Sequence, residues 1–292
     1  MKRIGLFTLV LTISLSVAAQ FNFGHQSKVE TKTIQSKVLN AGREYNIFLP
    51  LSYEQEPNRK YPILYLLHGV MDTNTCWSDR GHLKDVMDQL VASGETEEMI
   101  IVTPNAGGNI YGGAWNGYFD MPGWKYETFF FTEFLPQIES TYRVIGNKEN
   151  RAIAGLSMGG GGATVYGQKH PDMFSSVYAM SALMSIPEQG VMPSQSPGDK
   201  VDLLVKSVQE NCAIRYLQEA DEVQVKALNS VKWFVDCGDD DFLLDRNMEF
   251  TQVMRKKGIK HEFRVRDGGH TWEYWHSALY TCLPYVSRNF GK

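Results

Sequence analysis

The chain has 292 residues, 43% of them hydrophobic and 21% charged, with a formal net charge of −4. That balance argues against nucleic acid or an anionic membrane surface as the partner. The length suits one large domain with a well-buried core better than two half-size ones.

The first elements are those of export. Lys2 and Arg3 give a positive start, Ile4 to Val17 is apolar with small polar breaks, and Val17-Ala18-Ala19 offers small residues for cleavage. This predicts a signal peptide over residues 1–19, with the mature protein secreted or periplasmic. The apolar run is short for a membrane span, and no other stretch approaches one, so the mature chain is expected to have none. Cleavage removes Lys2 and Arg3, the segment's only charges, and moves the net charge from −4 to −6. Four scattered cysteines (Cys76, Cys212, Cys237 and Cys282) form no C-x-x-C and no Cys/His cluster, so zinc is not expected. Export permits disulfides, but buried free thiols fit the scatter equally well.

Polar and apolar residues alternate over 27–39 and 44–49, with Gly42 between them, which predicts an antiparallel hairpin at a sheet edge. Tyr61 to Leu67 is a continuous apolar run, as expected of a strand covered on both faces, and ends at His68-Gly69-Val70-Met71. Helical spacing follows over 82–91, a buried strand over 98–103, a Gly- and aromatic-rich loop over 106–124, and helical spacing over 126–142. Arg151 to Leu156 reads as a strand, 157–169 as a helix and 174–180 as a strand. Residues 185–230 break this rhythm with Pro187, Gly190, Pro193, Pro197 and Gly198 before a moderately amphipathic helical pattern. Regular alternation resumes as strand 231–237, helix 243–257, strand 260–266 and helix 272–289.

Strands alternating with helices imply an α/β fold: a mainly parallel sheet with right-handed crossovers and helices on both faces. Residues 20–292 read as a single domain with a lid-like insertion at about 185–230 bordering the active site.

Reactive groups of such a sheet gather at the carboxyl ends of its strands. Gly155-Leu156-Ser157-Met158-Gly159 fits the G-x-S-x-G nucleophile elbow, in which a strained serine needs positions without Cβ on both sides. Asp239-Asp240-Asp241 follows the strand ending at Cys237, and His270 follows the last strand. The order Ser, Asp, His is that of α/β-hydrolases.

A serine hydroxyl needs a base to take its proton, and an imidazole titrates near the working pH. A buried carboxylate must fix the imidazole tautomer. Backbone N–H groups must receive the developing oxyanion; Met158 at the helix start and Val70 after His68-Gly69 are placed for this, with Met71 second to Val70. His270 is the base because, of seven histidines, it alone follows the last strand. His68 is expected to support the oxyanion loop. Spacing alone does not choose among the three aspartates.

Tyr65-Leu66-Leu67-His68-Gly69, Gly155 to Gly160, Cys237 to Leu243 and Gly269-His270-Thr271-Trp272-Glu273-Tyr274-Trp275 together resemble the esterase-D-like α/β-hydrolases. Within that group the chain is similar to bacterial secreted carbohydrate esterases of family one, active as feruloyl and acetyl-xylan esterases. The resemblance runs from about Ser36 to the C-terminus.

It implies Ser157 as nucleophile, His270 as base, and Asp241 as acid, being the aspartate before the hydrophobic pair Phe242-Leu243; Asp240 or Asp239 is the fallback. It also implies an oxyanion hole from Val70 and Met158. No metal or organic cofactor is implied. The aromatic loop 109–124 (Tyr111, Trp115, Tyr118, Trp124) and Trp272 and Trp275 beside the base are candidates for the cleft wall, with Trp115, Tyr118, Trp272 and Trp275 foremost; there flat rings stack on a feruloyl ring or a sugar face, and the alternative is that most of them are core.

The implied function is ester hydrolysis through an acyl-enzyme on decorated plant polysaccharide, with a small ester or decorated oligosaccharide as substrate. The alternatives are an acyltransferase or short-chain carboxylesterase on the same fold, or a non-catalytic glycan-binding protein.

Overall fold

The computed structural model describes residues 26–186, 194 and 196–291. The expected signal segment lies outside the described residues, as does part of the expected insertion.

Eight strands make one sheet: β1 (Lys28–Ser36), β2 (Ala41–Leu49), β3 (Ile63–Leu67), β4 (Ile100–Pro104), β5 (Arg151–Leu156), β6 (Ser176–Met180), β7 (Lys232–Gly238) and β8 (Glu262–Arg266). Their order is β1-β2-β4-β3-β5-β6-β7-β8. β1 and β2 pair antiparallel, β2 meets β4 antiparallel, and every later pair is parallel. The fold is the expected mainly parallel α/β sheet with an antiparallel N-terminal hairpin. The hairpin turn falls at residues 37–40, not at Gly42, which lies within β2. Asn40 takes the left-handed conformation there (φ 48°), which asparagine tolerates because its side chain bonds locally.

The central strands read as unbroken apolar runs because both faces are covered. Successive residues point to opposite faces, and the core divides accordingly. Ile63, Tyr65 and Leu67 of β3 pack into one cluster, and Leu64 and Leu66 into the other.

The first cluster takes helix α3 (Met158–Lys169) and a rich aromatic group at Tyr126–Phe134. There an α-turn widens into a π-helical turn before α2 (Leu135–Thr141). It also receives Val201, Leu204 and Val208 of α4 (Lys200–Glu210) and Ala213, Ile214 and Leu217 of α5 (Ala213–Glu219). α6 (Glu222–Leu228) opens on a capping box between Asp221 and Gln224, and α7 (Leu244–Lys256) completes this face with Phe250 and Met254. The second cluster takes α1 (Leu83–Ala92) and the long closing helix α8 (Trp272–Arg288).

Two charge networks brace the sheet, one at the start of β5 and one beneath the start of the closing helix. Glu139 at the end of α2 grips Arg151 at the start of β5 with two bonds, at 2.6 and 2.7 Å, a bidentate geometry that fixes orientation as well as position. Asp236 of β7 is fully buried. It accepts from the Tyr178 hydroxyl (2.6 Å), the Tyr274 hydroxyl (2.6 Å) and the Arg264 guanidinium, joining β6, β8 and α8 through one carboxylate. A buried charge is tolerated only when its lone pairs are satisfied in this way. The consequence is a fixed start for α8, just after His270.

Candidate active site

Ser157 occupies the one-residue corner between β5 and α3, with φ 53° and ψ −120°. The chain folds back so tightly that a Cβ on Gly155 would collide with the Gly159 carbonyl, and one on Gly159 with the His68 carbonyl. These two glycines are therefore steric requirements of the corner. Ser157 N–H donates to Met180 O at 2.9 Å, and its carbonyl accepts from Leu183 N–H at 2.9 Å, so β6 and the segment after it hold the strained residue in place.

The Ser157 hydroxyl lies 2.9 Å from Nε2 of His270. On the other side of that ring, Nδ1 is 2.9 Å from Asp241 Oδ2 and 3.1 Å from Oδ1. With Asp241 ionised, Nδ1 carries the proton and Nε2 is free to accept from the serine. Burial works against the Asp241 charge. Hydrogen bonds from His270, Ser181 and the Leu243 N–H (2.8 Å) outweigh it, and hold this carboxyl below the usual carboxylate range.

Asp239 and Asp240 are exposed, and Asp239 accepts from Gly268 N–H at 3.0 Å. Of the three aspartates, Asp241 is the one that meets the imidazole. Asp239, Asp240 and Asp267 bring three exposed carboxylates within 4.8 Å of one another, and nothing else at that cluster points to a cation. All four cysteines are free thiols, and burial pushes those of Cys76, Cys237 and Cys282 up.

Val70 and Met158 both line a cavity of about 250 Å³ that opens beside Ser157 and His270. Met158 begins α3, so its N–H has no partner within the helix. The loop carrying Val70 is braced from below by His68, which is completely buried. His68 Nδ1 lies 2.8 Å from Gly69 O, and its Nε2 accepts from Ala106 N–H at 2.9 Å. Both contacts need the neutral ring protonated at Nδ1, and burial pushes its pKa down to about 4. The Tyr118 hydroxyl accepts from His68 N–H at 2.8 Å and donates to His68 O at 3.0 Å, clamping the same residue from the other side.

Of the aromatic residues expected at the cleft wall, Trp115, Tyr118, Trp272 and Trp275 are not among the described residues that line this cavity. Tyr118 is 1% exposed and serves the clamp just described. Trp115 stacks on Trp124 with centroids 6.0 Å apart, and its surroundings include the Lys200 ammonium 4.8 Å from the ring. Trp272 packs edge-on to Trp77 and Trp275 and carries the Arg80 guanidinium over its ring. Trp275 is buried behind His270, edge to face at 4.9 Å. Tyr118 and Trp275 are buried in packing, whereas Trp115 and Trp272 are partly exposed, and Trp115 lines a neighbouring pocket with Tyr111 and Lys200.

The cavity wall among the described residues is mainly aliphatic, with Tyr111 and Phe242 as its aromatic members. Leu183, Ile186, Leu204 and Val208 form one side, with Met71, Tyr111, Phe242 and Leu243 at the remainder. Tyr111 belongs to the aromatic loop expected at the cleft, and Ile186, Leu204 and Val208 to the insertion expected to border it, but the individual aliphatic positions carry the same apolar spacing as core positions. Phe242 is 67% exposed and its ring lies 4.5 Å from that of His270. Among the described residues no helix is long and apolar enough to cross a membrane.

The Esterase family model, whose description reads "Putative esterase", matches residues 36–286. A solved ferulic acid esterase is 68% identical, with a TM-score of 0.90 over 92% of this chain and 100% of its own. A ferulic acid esterase from Anaeromyces mucronatus, solved with ferulic acid, shares the fold at 20% identity and a TM-score of 0.67 over 97% of this chain and 99% of its own. An endo-1,4-beta-xylanase/feruloyl esterase from Xylanibacter ruminicola is 25% identical over 259 residues, which is 87% of this chain and 31% of that protein. The chain thus spans about a third of that curated relative's length. An α/β-hydrolase sheet, a serine at its strained corner and a family match over most of the length agree: the chain belongs to the Esterase family of carboxylic-ester hydrolases.

Proposed function

We propose that this protein is a secreted serine esterase that removes feruloyl groups from xylan-type polysaccharides through an acyl-enzyme. The observation that carries the reading is the hydrogen-bonded line from Ser157 Oγ through His270 to Asp241 at the mouth of an apolar cavity. As Ser157 Oγ attacks the ester carbonyl, His270 Nε2 takes its proton and Asp241 stabilises the imidazolium. The carbonyl oxygen gains the negative charge and is received by the N–H groups of Val70 and Met158. Collapse breaks the ester C–O bond, and His270 returns the proton to the departing sugar hydroxyl. Water, deprotonated by the same imidazole, then attacks the acyl-serine and releases the acid.

The cavity supports the acyl class. A phenylpropanoid group can bury its ring against Leu183, Ile186, Leu204 and Val208, whereas an acetyl group would leave most of about 250 Å³ unfilled. Among the described residues its lining includes no Asp, Glu, Lys or Arg, which suits an uncharged acyl group. The names of the similar proteins, feruloyl esterases and one joined to a xylanase, point the same way. Secretion rests on the basic start, apolar run and small-residue end of residues 1–19.

Initial rates on feruloylated and acetylated xylo-oligosaccharides test the substrate. Ferulate release at a kcat/KM at least about tenfold above acetate release is expected, and the reverse preference would overturn the acyl assignment. N-terminal sequencing of the exported protein tests the expected cleavage after Ala19.

A further inference from the structure

An ester attacked by Ser157 has three groups to place around its carbonyl carbon. The carbonyl oxygen turns toward the N–H groups of Val70 and Met158. The leaving oxygen must come within hydrogen-bond reach of His270 Nε2, because that nitrogen returns the proton to it. Nε2 itself stands 2.9 Å from Ser157 Oγ. The acyl chain takes the direction that remains, into the cavity walled by Leu183, Ile186, Leu204 and Val208. The sugar is joined through the leaving oxygen, so it lies at the cavity mouth against the imidazole.

Among the described residues two aromatic rings contact that imidazole. Trp275 is buried and closes it off from behind. Phe242 stands on the open side, where it lines the cavity together with Ser157 and His270. Its ring centroid is 4.5 Å from that of the imidazole with the planes at 48°, and 67% exposure leaves the greater part of the ring free.

The exposure is built into the turn. Asp241 and Leu243, on either side of Phe242, are both buried. The Asp241 carboxylate accepts from Leu243 N–H at 2.8 Å, and the Asp241 carbonyl accepts from Leu244 N–H at 2.9 Å. A turn held at both neighbours fixes the direction of the residue between them. Met71 and Tyr111 are exposed as well and line the same cavity. Large apolar side chains gathered in water at one opening mark a contact surface.

We propose that Phe242 is the sugar platform of this esterase: the sugar that carries the acyl group packs its C–H face on the Phe242 ring while its ester oxygen faces His270. The inference rests on the serine-esterase reading above and deepens it on the leaving-group side. The negative face of an aromatic ring attracts the slightly positive C–H groups of a sugar. Phe242 thereby favours esters of a sugar over esters of a small alcohol, whatever the acyl group in the cavity.

The test compares kcat/KM for a feruloylated xylo-oligosaccharide with kcat/KM for methyl ferulate, two esters of one acid. That parameter reports acylation, the half-reaction in which the alcohol is still attached, whereas deacylation starts from the same feruloyl-enzyme for both. The ratio also cancels any loss of folded protein. In Phe242→Ala the ratio of oligosaccharide to methyl ester is expected to fall about five- to tenfold, the scale of burying half an aromatic side chain. In Phe242→Trp, which keeps a flat ring, it stays within about twofold of wild type. An unchanged or raised ratio in Phe242→Ala would overturn the proposal, even if both esters slowed together, because equal losses would place the ring on the acyl group or the imidazole alone. A ratio in Phe242→Trp as low as that of Phe242→Ala would overturn it too. Failure of wild-type Ser157 to react with a fluorophosphonate would overturn the serine reading and the platform with it. Normal labelling and ferulate release beside an unmoved ratio would overturn the platform alone.

Discussion

Gly159 and His68 meet backbone to backbone: the first turn of α3 lies so close to the oxyanion loop that a Cβ on Gly159 would overlap the His68 carbonyl oxygen and come within 2.7 Å of the Leu67 carbonyl carbon. Neither obstacle is a flexible side-chain end, so neither can move aside cheaply.

The contact sets the separation of the two N–H groups assigned to the oxyanion. Gly159→Ala is therefore expected to lower kcat by about a hundredfold, the scale of losing an oxyanion donor, and to cost about 1–3 kcal/mol of stability through overpacking. Steady-state kinetics and urea unfolding of the variant check both figures.

The choice of acid has an equally direct test. Asp241 touches His270, whereas Asp239 and Asp240 are exposed. Asp241→Asn should lose about 10³–10⁴ in kcat, because the imidazole loses the partner that fixes its tautomer. Asp240→Asn and Asp239→Asn should stay within a few-fold of wild type. Near-normal turnover in Asp241→Asn would transfer the role to a neighbour.

The two halves of the site differed in how far the sequence disclosed them. Ser157, Asp241 and His270 stand at strand ends, where a parallel sheet gathers its reactive groups, and short motifs mark those ends. The parallel strands were readable for a related reason, since burial on both faces leaves an apolar run. The cavity wall was legible only as Tyr111 and as an insertion bordering the site, not residue by residue. Leu204 and Val208 are spaced four apart on α4, as any core pair would be, and only the packing of the insertion decides that they face the space beside Ser157. Trp115, Tyr118, Trp272 and Trp275 do not line this cavity among the described residues, because an aromatic residue close in sequence to a motif is as readily packing as a binding platform. Gly42 misled at the hairpin because glycine also serves inside strands, while Asn40 supplied the left-handed turn.

His68 makes the stability of the fold depend on pH. Its folded pKa is pushed down by burial to about 4 from 6.5, so between these values the unfolded chain binds the extra proton. Stability therefore rises with pH across that window and falls as pH drops through it, by about 3 kcal/mol over the whole span. Urea unfolding at pH 7, 5.5 and 4.5 should show this slope in the wild type and a shallower one in His68→Asn. Equal slopes would contradict the buried neutral imidazole.

The shape of the cavity can be changed without touching the reacting groups. Leu183 lines it and is only partly buried, so Leu183→Trp can fill the space with limited disturbance to the core. Methyl ferulate turnover should fall by at least about tenfold in kcat/KM, while a 4-nitrophenyl acetate control changes little. Equal losses on both esters would show that the acyl group does not enter this cavity.

The most direct measurement is the mass of the protein quenched in acid during turnover of methyl ferulate, followed by peptide mapping. The expected result is a species heavier by one feruloyl group, with the modification on Ser157 and none in Ser157→Ala. Full ferulate release by Ser157→Ala, or a feruloyl adduct on any other residue of the active wild-type protein, would contradict the assignment of Ser157 as the nucleophile.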